Sequence, residues 1–329
     1  MICPHCAQSL LQKERPDRRC SICGRRFAFD PKTNPLRLND LRVRRIADRL
    51  TQNGQLPCTT GQLWYALSRR TLRQPGVDLD WAFILLLAGA AAGGIGLAAG
   101  VGFAQFIGLL VLLVGAGFVA AHLMGVRRGR PKVGRQAFRT DTMAVWRDVY
   151  HQLPPGVLDD SRYPQPGEAS ADAPVVICPD RSIGVFLHKA GVDVFADWSG
   201  LPGRGPVLVL HDADPDGLLF VDRVRAAVPG RAVVDIGVPV DAVFGVTKAV
   251  PVRGDRPGRH VIESLAAGGE LTPEQLKWLG KGWGFPLVGV PPAKLLAVVR
   301  GAVEDAEARR GAAAVGFLTW PEERGGRSA

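Results

Sequence analysis

Residues 81–126 read WAFILLLAGAAAGGIGLAAGVGFAQFIGLLVLLVGAGFVAAHLMGV, 46 positions without one Asp, Glu, Lys or Arg. A helix crosses the hydrocarbon core of a bilayer in about 20 residues, so an apolar run more than twice that length must turn back on itself. Two spans fit, over residues 81–99 and 104–124, with Gly100-Val101-Gly102 as the turn. Arg69, Arg70 and Arg73 precede the run, and Arg127, Arg128 and Arg130 follow it. Basic flanks stay on the cytoplasmic side, so both large segments and both termini are expected in the cytosol. Gly89, Gly93, Gly96 and Gly100 step by four, three and four along one stripe, a small-residue face for the partner span or for a second copy of the chain. Gln105 and His122 are the strongly polar side chains within the run, and His122 is expected near the interface.

Outward from the hairpin, charge is unevenly spread. Residues 1–80 hold 15 basic against 7 acidic side chains, and residues 127–139 hold six basic and no acidic ones. The remainder, from 140 on, has 20 basic and 24 acidic residues, so the overall charge of +10 describes the membrane flanks and not the C-terminal region. A general nucleic-acid-binding role read from the isoelectric point is therefore excluded as an argument.

Cys3-Pro4-His5-Cys6 and Cys20-Ser21-Ile22-Cys23 form two C-x-x-C knuckles thirteen residues apart. Two such turns, brought together by a hairpin, supply four thiolates to one tetrahedral ion. Gly24 suits a tight turn after the second knuckle, and Phe27 and Phe29 alternate as one strand face does. His5 is expected to point away, because a closed structural site takes four ligands. Residues 1–30 resemble the zinc-ribbon family, which implies structural zinc on Cys3, Cys6, Cys20 and Cys23. The N-terminus lacks a charged region followed by an apolar stretch, so this head is expected in a reducing cytoplasm.

Over residues 38–75, Leu41, Val43, Ile46, Ala47 and Leu50 recur at helical spacing among arginines, and Thr59 or Thr60 is placed to cap a second helix carrying Leu63, Trp64 and Leu67. This is a basic helical linker or a winged-helix fragment, its arginines facing anionic lipid headgroups or nucleic acid. Residues 127–173 read as a basic and then Pro/Gly-rich linker.

From 174 to 320 the pattern alternates. Apolar runs at Val175-Val176-Ile177-Cys178, 206–210, 233–238, 286–290 and 315–318 read as strands, and 183–190, 218–228 and 292–309 as helices. That is a layered α/β domain, Toprim-like or Rossmann-like. At a strand's carboxyl end stand His211-Asp212-Ala213-Asp214-Pro215-Asp216-Gly217. Carboxylates at i and i+2 leaving a strand suit a hard cation such as magnesium, while Asp-Pro-Asp-Gly is equally turn and capping chemistry.

The segment 175–225 resembles the Toprim domain of topoisomerases, primases and nucleases, in which a strand ends in glutamate and a later strand in Asp-x-Asp. Asp212-Ala213-Asp214 matches the second motif. In place of the glutamate the nearest acid is Asp180, a carbon shorter and displaced. The resemblance implies metal-dependent phosphodiester chemistry on Asp212, Asp214 and Asp180, with Asp216 extending the cluster. Type VI topoisomerase A subunits join a winged helix bearing a nucleophilic tyrosine to such a domain, which would give Tyr65 that role. Cys178 and His211, at strand ends, form a thinner nucleophile-and-base pairing.

The chain thus reads as a multi-domain membrane protein: zinc ribbon, basic helices, transmembrane hairpin and cytoplasmic α/β domain. The expected function is a membrane-tethered binding or scaffold protein with a degenerate Toprim-like domain. The alternative is a metal-dependent phosphoryl-transfer or nuclease enzyme.

Overall fold

The structure, a computed structural model, describes residues 1–73, 79–123, 129–165, 172–246 and 249–314. The side chain of His122, the flanking Arg127 and Arg128, and the strand expected over 315–318 lie outside the described residues.

The N-terminal head is held by short bridges, Ile2 to Ser9 and Arg19 to Arg26. Asn39 then accepts from the Arg42 N–H at 2.8 Å and starts α1 (Asp40–Leu50). Strand β1 (Cys58–Thr59) leads into α2 (Thr60–Arg73), and α3 (Leu79–Ala99) and α4 (Gly102–Leu123) follow. Helix α5 (Arg135–Ala137) continues through a π turn into α6 (Met143–Tyr150), and β2 (Val157–Leu158) pairs parallel with β1.

The C-terminal region runs β3 (Val175–Ile177), α7 (Arg181–Lys189), β4 (Val194–Phe195), β5 (Val207–Val209), α8 (Pro215–Ala227), β6 (Val233–Asp235) and α9 (Val240–Gly245). It ends with β7 (Val252–Arg253), α10 (Arg259–Ala267), α11 (Pro273–Gly280), β8 (Trp283–Gly284) and α12 (Pro292–Ala314). The main sheet has the order β4-β3-β5-β6, and all its pairings are parallel.

Strand order reverses between β3 and β5: the chain steps from β3 outward to β4, then returns to place β5 on the other side of β3. Right-handed crossovers in opposite directions put α7 and α8 on opposite faces. The alternating side chains agree. Val176, Cys178 and Leu208 pack with Ile183 and Phe186 of α7, and Val175, Ile177, Val207 and Val209 with Phe220, Val221 and Val224 of α8. Covered on both faces, β3 and β5 are continuously apolar.

The segments read as linkers are part of this body. Leu36, Leu38, Val43, Leu63, Leu67, Phe138, Met143 and Trp146 share one core cluster with α7, β5, Leu287 and Leu295. The arginines of α1 hide this role: Val43 and Ala47 form a narrow buried seam between them. Residues 286–290 are a 3-10 turn (Leu287–Gly289) and not a strand, because the Leu287 N–H donates to the Asp212 carboxylate and the Gly289 N–H to the Pro286 carbonyl. Strand β4 lay unseen in the sequence, too short at two residues to show a period.

Helices α3 and α4 are long and apolar enough to cross a membrane, over Trp81–Ala99 and Gly102–Ala121, and few of their residues are buried. A Cβ on Gly96 would lie 2.7 Å from the Gln105 nitrogen, one on Gly89 2.8 Å from the Leu112 nitrogen, and one on Gly108 would overlap the backbone of Gly93. The glycine stripe thus serves the contact between the two spans. Gly100 leaves it: with φ +66° it forms the turn.

Candidate functional site

The four knuckle sulfurs lie within 4.8 Å of one another. Cys3 Sγ is 3.8 Å from Cys23 Sγ, and Cys6 Sγ 3.8 Å from Cys20 Sγ. Those separations are far beyond a disulfide bond. They match a tetrahedral ion with bonds of about 2.3 Å, whose sulfurs stand about 3.8 Å apart. Backbone N–H groups of His5 and Cys23 point at Cys3 Sγ and Cys20 Sγ at 3.5 Å. The Cys23 N–H is the main cause that lowers the Cys20 thiol to about 7, toward the thiolate a metal requires. His5 turns outward, its Nε2 2.8 Å from the Arg26 carbonyl.

The head is docked on α6 and α1. Arg26 reaches Asp148 at 3.3 Å, and the His5 and Tyr150 rings lie 6.0 Å apart. Buried Asp40 accepts from the Ala28 and Phe29 N–H groups at 2.8 Å and from the Tyr150 hydroxyl.

The second site follows from topology. Where strand order reverses, the loops beyond adjacent parallel strands diverge and open a crevice. Here Asp180 leaves β3, and Asp212, Asp214 and Asp216 leave β5. With Arg223 and Leu287 they line a cavity of about 240 Å³. An adjoining lobe of about 520 Å³ shares the last three aspartates and adds Trp64, Arg135, Arg256 and Trp283.

Each inner aspartate already has partners. Both oxygens of Asp180 accept from Arg135 at 2.6 Å, and Oδ1 also takes the Ile183 N–H at 3.1 Å, capping α7. Asp214 caps α8 by accepting from the Gly217 N–H at 2.7 Å. Asp212 accepts from the Leu287 N–H at 2.7 Å. Asp216 is exposed in the first turn of α8. Burial, then the charges of Asp180 and Asp214, push the Asp212 carboxyl up to about 7, and burial also raises Asp214. Among the described residues, the one group of three or more ligand atoms within 4.8 Å of each other is the cysteine quartet.

His211 sits beneath this crevice, 1 % exposed. Its Nδ1 lies 2.7 Å from the Asp212 carbonyl and its Nε2 3.0 Å from Asp235 Oδ1. Two acceptors require two donors, so the ring is an imidazolium. Burial lowers its pKa, but the bonds to Asp235 and Asp212 outweigh that and raise it. With both nitrogens engaged, His211 has none left to activate Cys178, whose buried thiol is itself raised by burial. Tyr65 is no exposed nucleophile either. Its ring is buried, its hydroxyl donates to the Val250 carbonyl at 2.7 Å, and burial pushes it up to about 12.

A buried polar cluster escaped the sequence reading. Asp160 accepts from the hydroxyls of Thr60 and Ser182 and from the Gly61 N–H at 3.0 Å, with Arg139 at 3.5 Å. It joins the start of α2 to α7, with a carboxylate at the positive end of a helix. Gly61 is required there, since a Cβ would overlap Ser182 Oγ.

No protein-family model matches this chain, and comparison with curated proteins and with solved structures gives no match.

Proposed function

We propose that this chain is a membrane-tethered cytoplasmic binding or scaffold protein, with zinc on its four cysteines and a degenerate Toprim-like domain whose crevice holds a ligand without breaking it. The observation that carries this reading is the Arg135–Asp180 pair. The acid nearest the Toprim glutamate is neutralised by a guanidinium at 2.6 Å and spent on capping α7. A carboxylate so engaged offers little to a cation.

Tethering is supported by continuity on both sides of the hairpin. Leu67 and Leu72 before it and Phe138 after it lie in one core, and the Gly129 carbonyl accepts from the Arg253 N–H at 2.9 Å. Both flanks therefore belong to one body on one side of the bilayer. In this reading that side is cytoplasmic, both termini are there, and Arg70, Arg73 and Arg130 meet anionic headgroups.

The enzyme reading, magnesium-dependent phosphoryl transfer on Asp212 and Asp214, draws support from the raised Asp212 carboxyl, which a cation would relieve. The test is incubation of the full chain with labelled nucleic acid and magnesium. Retention without shortening is expected. Cleavage that disappears in Asp212→Asn with Asp214→Asn would establish the enzyme instead.

A further inference from the structure

On the side of α2 away from the aspartates, a cavity of about 340 Å³ opens between α2, α9 and the start of α12. Its walls are apolar: Val238, Val243, Val246, Ala249, Phe285 and Val290. Its polar lining includes two cations, Arg69 and Lys294, while the Tyr65 hydroxyl that borders it already donates to Val250. Pockets of this size with apolar walls and few convergent charges take small organic ligands. The charges specify an anion and the walls an alkyl chain.

The cavity also faces the bilayer. Arg69 lies one turn before Arg73, the end of α2, and the five residues joining Arg73 to α3 reach at most about 20 Å. On the opposite wall, Ala249 leads into β7, whose Arg253 pairs with Gly129 just beyond α4. Two independent routes thus place the cavity beside the hairpin's exits. Around it Phe244 and Val246 are 49 % and 51 % exposed, apolar surface that water alone would leave unsatisfied.

We infer that this cavity binds one acyl chain of an anionic membrane lipid, whose head is held by Arg69 and Lys294. The inference rests on the tethered reading above and adds a lipid as resident ligand. The chain leaves the bilayer at the hairpin's base and enters between α9 and α12.

The experiment uses the full chain in phosphatidylglycerol nanodiscs containing a phosphatidylglycerol with a photoactivatable acyl chain, followed by peptide mass spectrometry. Adducts are expected on residues 238–246 and 289–294 as well as on α3 and α4. Ala242→Trp, at an exposed cavity-lining position that disturbs no buried packing, should reduce the cavity adducts to background and spare those of the hairpin. Val246→Trp, also exposed, should act alike. Arg69→Gln and Lys294→Gln should each lower cavity labelling about fivefold. Adducts confined to α3 and α4, or cavity labelling that persists in both Trp variants, would overturn the lipid site alone. Failure of the chain to elute with the nanodisc would overturn the tether as well.

Discussion

Arg135 and Asp180, 45 residues apart in sequence, meet through two N–H···O bonds of 2.6 Å at the reversal point of the parallel sheet. The Asp180 side chain is 7 % exposed and that of Arg135 31 %. Arg135 also counters Asp160 and Asp212, so one guanidinium balances three carboxylates. Arg135→Ala is expected to destabilise the body by about 2–4 kcal/mol, since removal of one partner leaves buried charge unpaired. Arg135→Ala with Asp180→Ala should cost less than the sum of the single changes. Denaturant unfolding of the four variants in the cycle checks this.

Stability should depend on pH in a defined direction. Asp212 and His211 are both raised in the folded state. The stability each contributes is complete below its unfolded value, about 3.9 for Asp and 6.5 for His, and is lost as pH rises through the folded value. For Asp212 that window is about 4 to 7. Asp160 behaves oppositely: burial works against it, but the hydroxyls of Ser182 and Thr60 hold it low, so its stability is lost in acid. The melting temperature should therefore peak in mildly acidic buffer and decline toward pH 8. Asp212→Asn should flatten the decline between about pH 5 and 7, as thermal melts across a pH series will show.

Zinc content follows from the cysteine geometry. Elemental analysis of the purified chain should give about one zinc per molecule, and Cys20→Ser with Cys23→Ser should remove it. Because the head docks on α6 through Arg26–Asp148 and His5–Tyr150, chelation should also open residues 1–30 to protease while leaving the α/β core protected.

The hairpin makes a paired test. Gly108→Leu would drive a side chain into the backbone of Gly93, whereas a Cβ on Gly94 meets nothing within 4 Å. The first should destabilise the detergent-purified chain by about 1–3 kcal/mol and the second leave it unchanged. Thermal melts of the two variants separate the cases.

How much of this was legible before the structure depended on the range of each signal. The hairpin and the cysteine knuckles are written in contiguous stretches, where composition and spacing carry the information. Strands β3 and β5 showed as apolar runs because both faces are covered. The partners of the aspartates were hidden, since Arg135 lies 45 residues from Asp180 and Thr60 lies 100 residues from Asp160. Asp160 stands beside a Pro/Gly-rich stretch that looked like a connector. The arginines of α1 and α2 drew the eye to lipid and away from the buried seam of Val43, Leu63 and Leu67.

The central claim is that the crevice aspartates serve the fold as caps and counter-ions and do not form a metal centre. It is tested most directly by the unfolding free energy of wild type and Asp214→Ala, each measured with magnesium and with chelator. Loss of the α8 cap should cost about 0.5–2 kcal/mol, equally in both conditions. A cost that appears only in magnesium, with wild type stabilised by the ion and the variant indifferent to it, would contradict the account and place a cation among Asp180, Asp212 and Asp214.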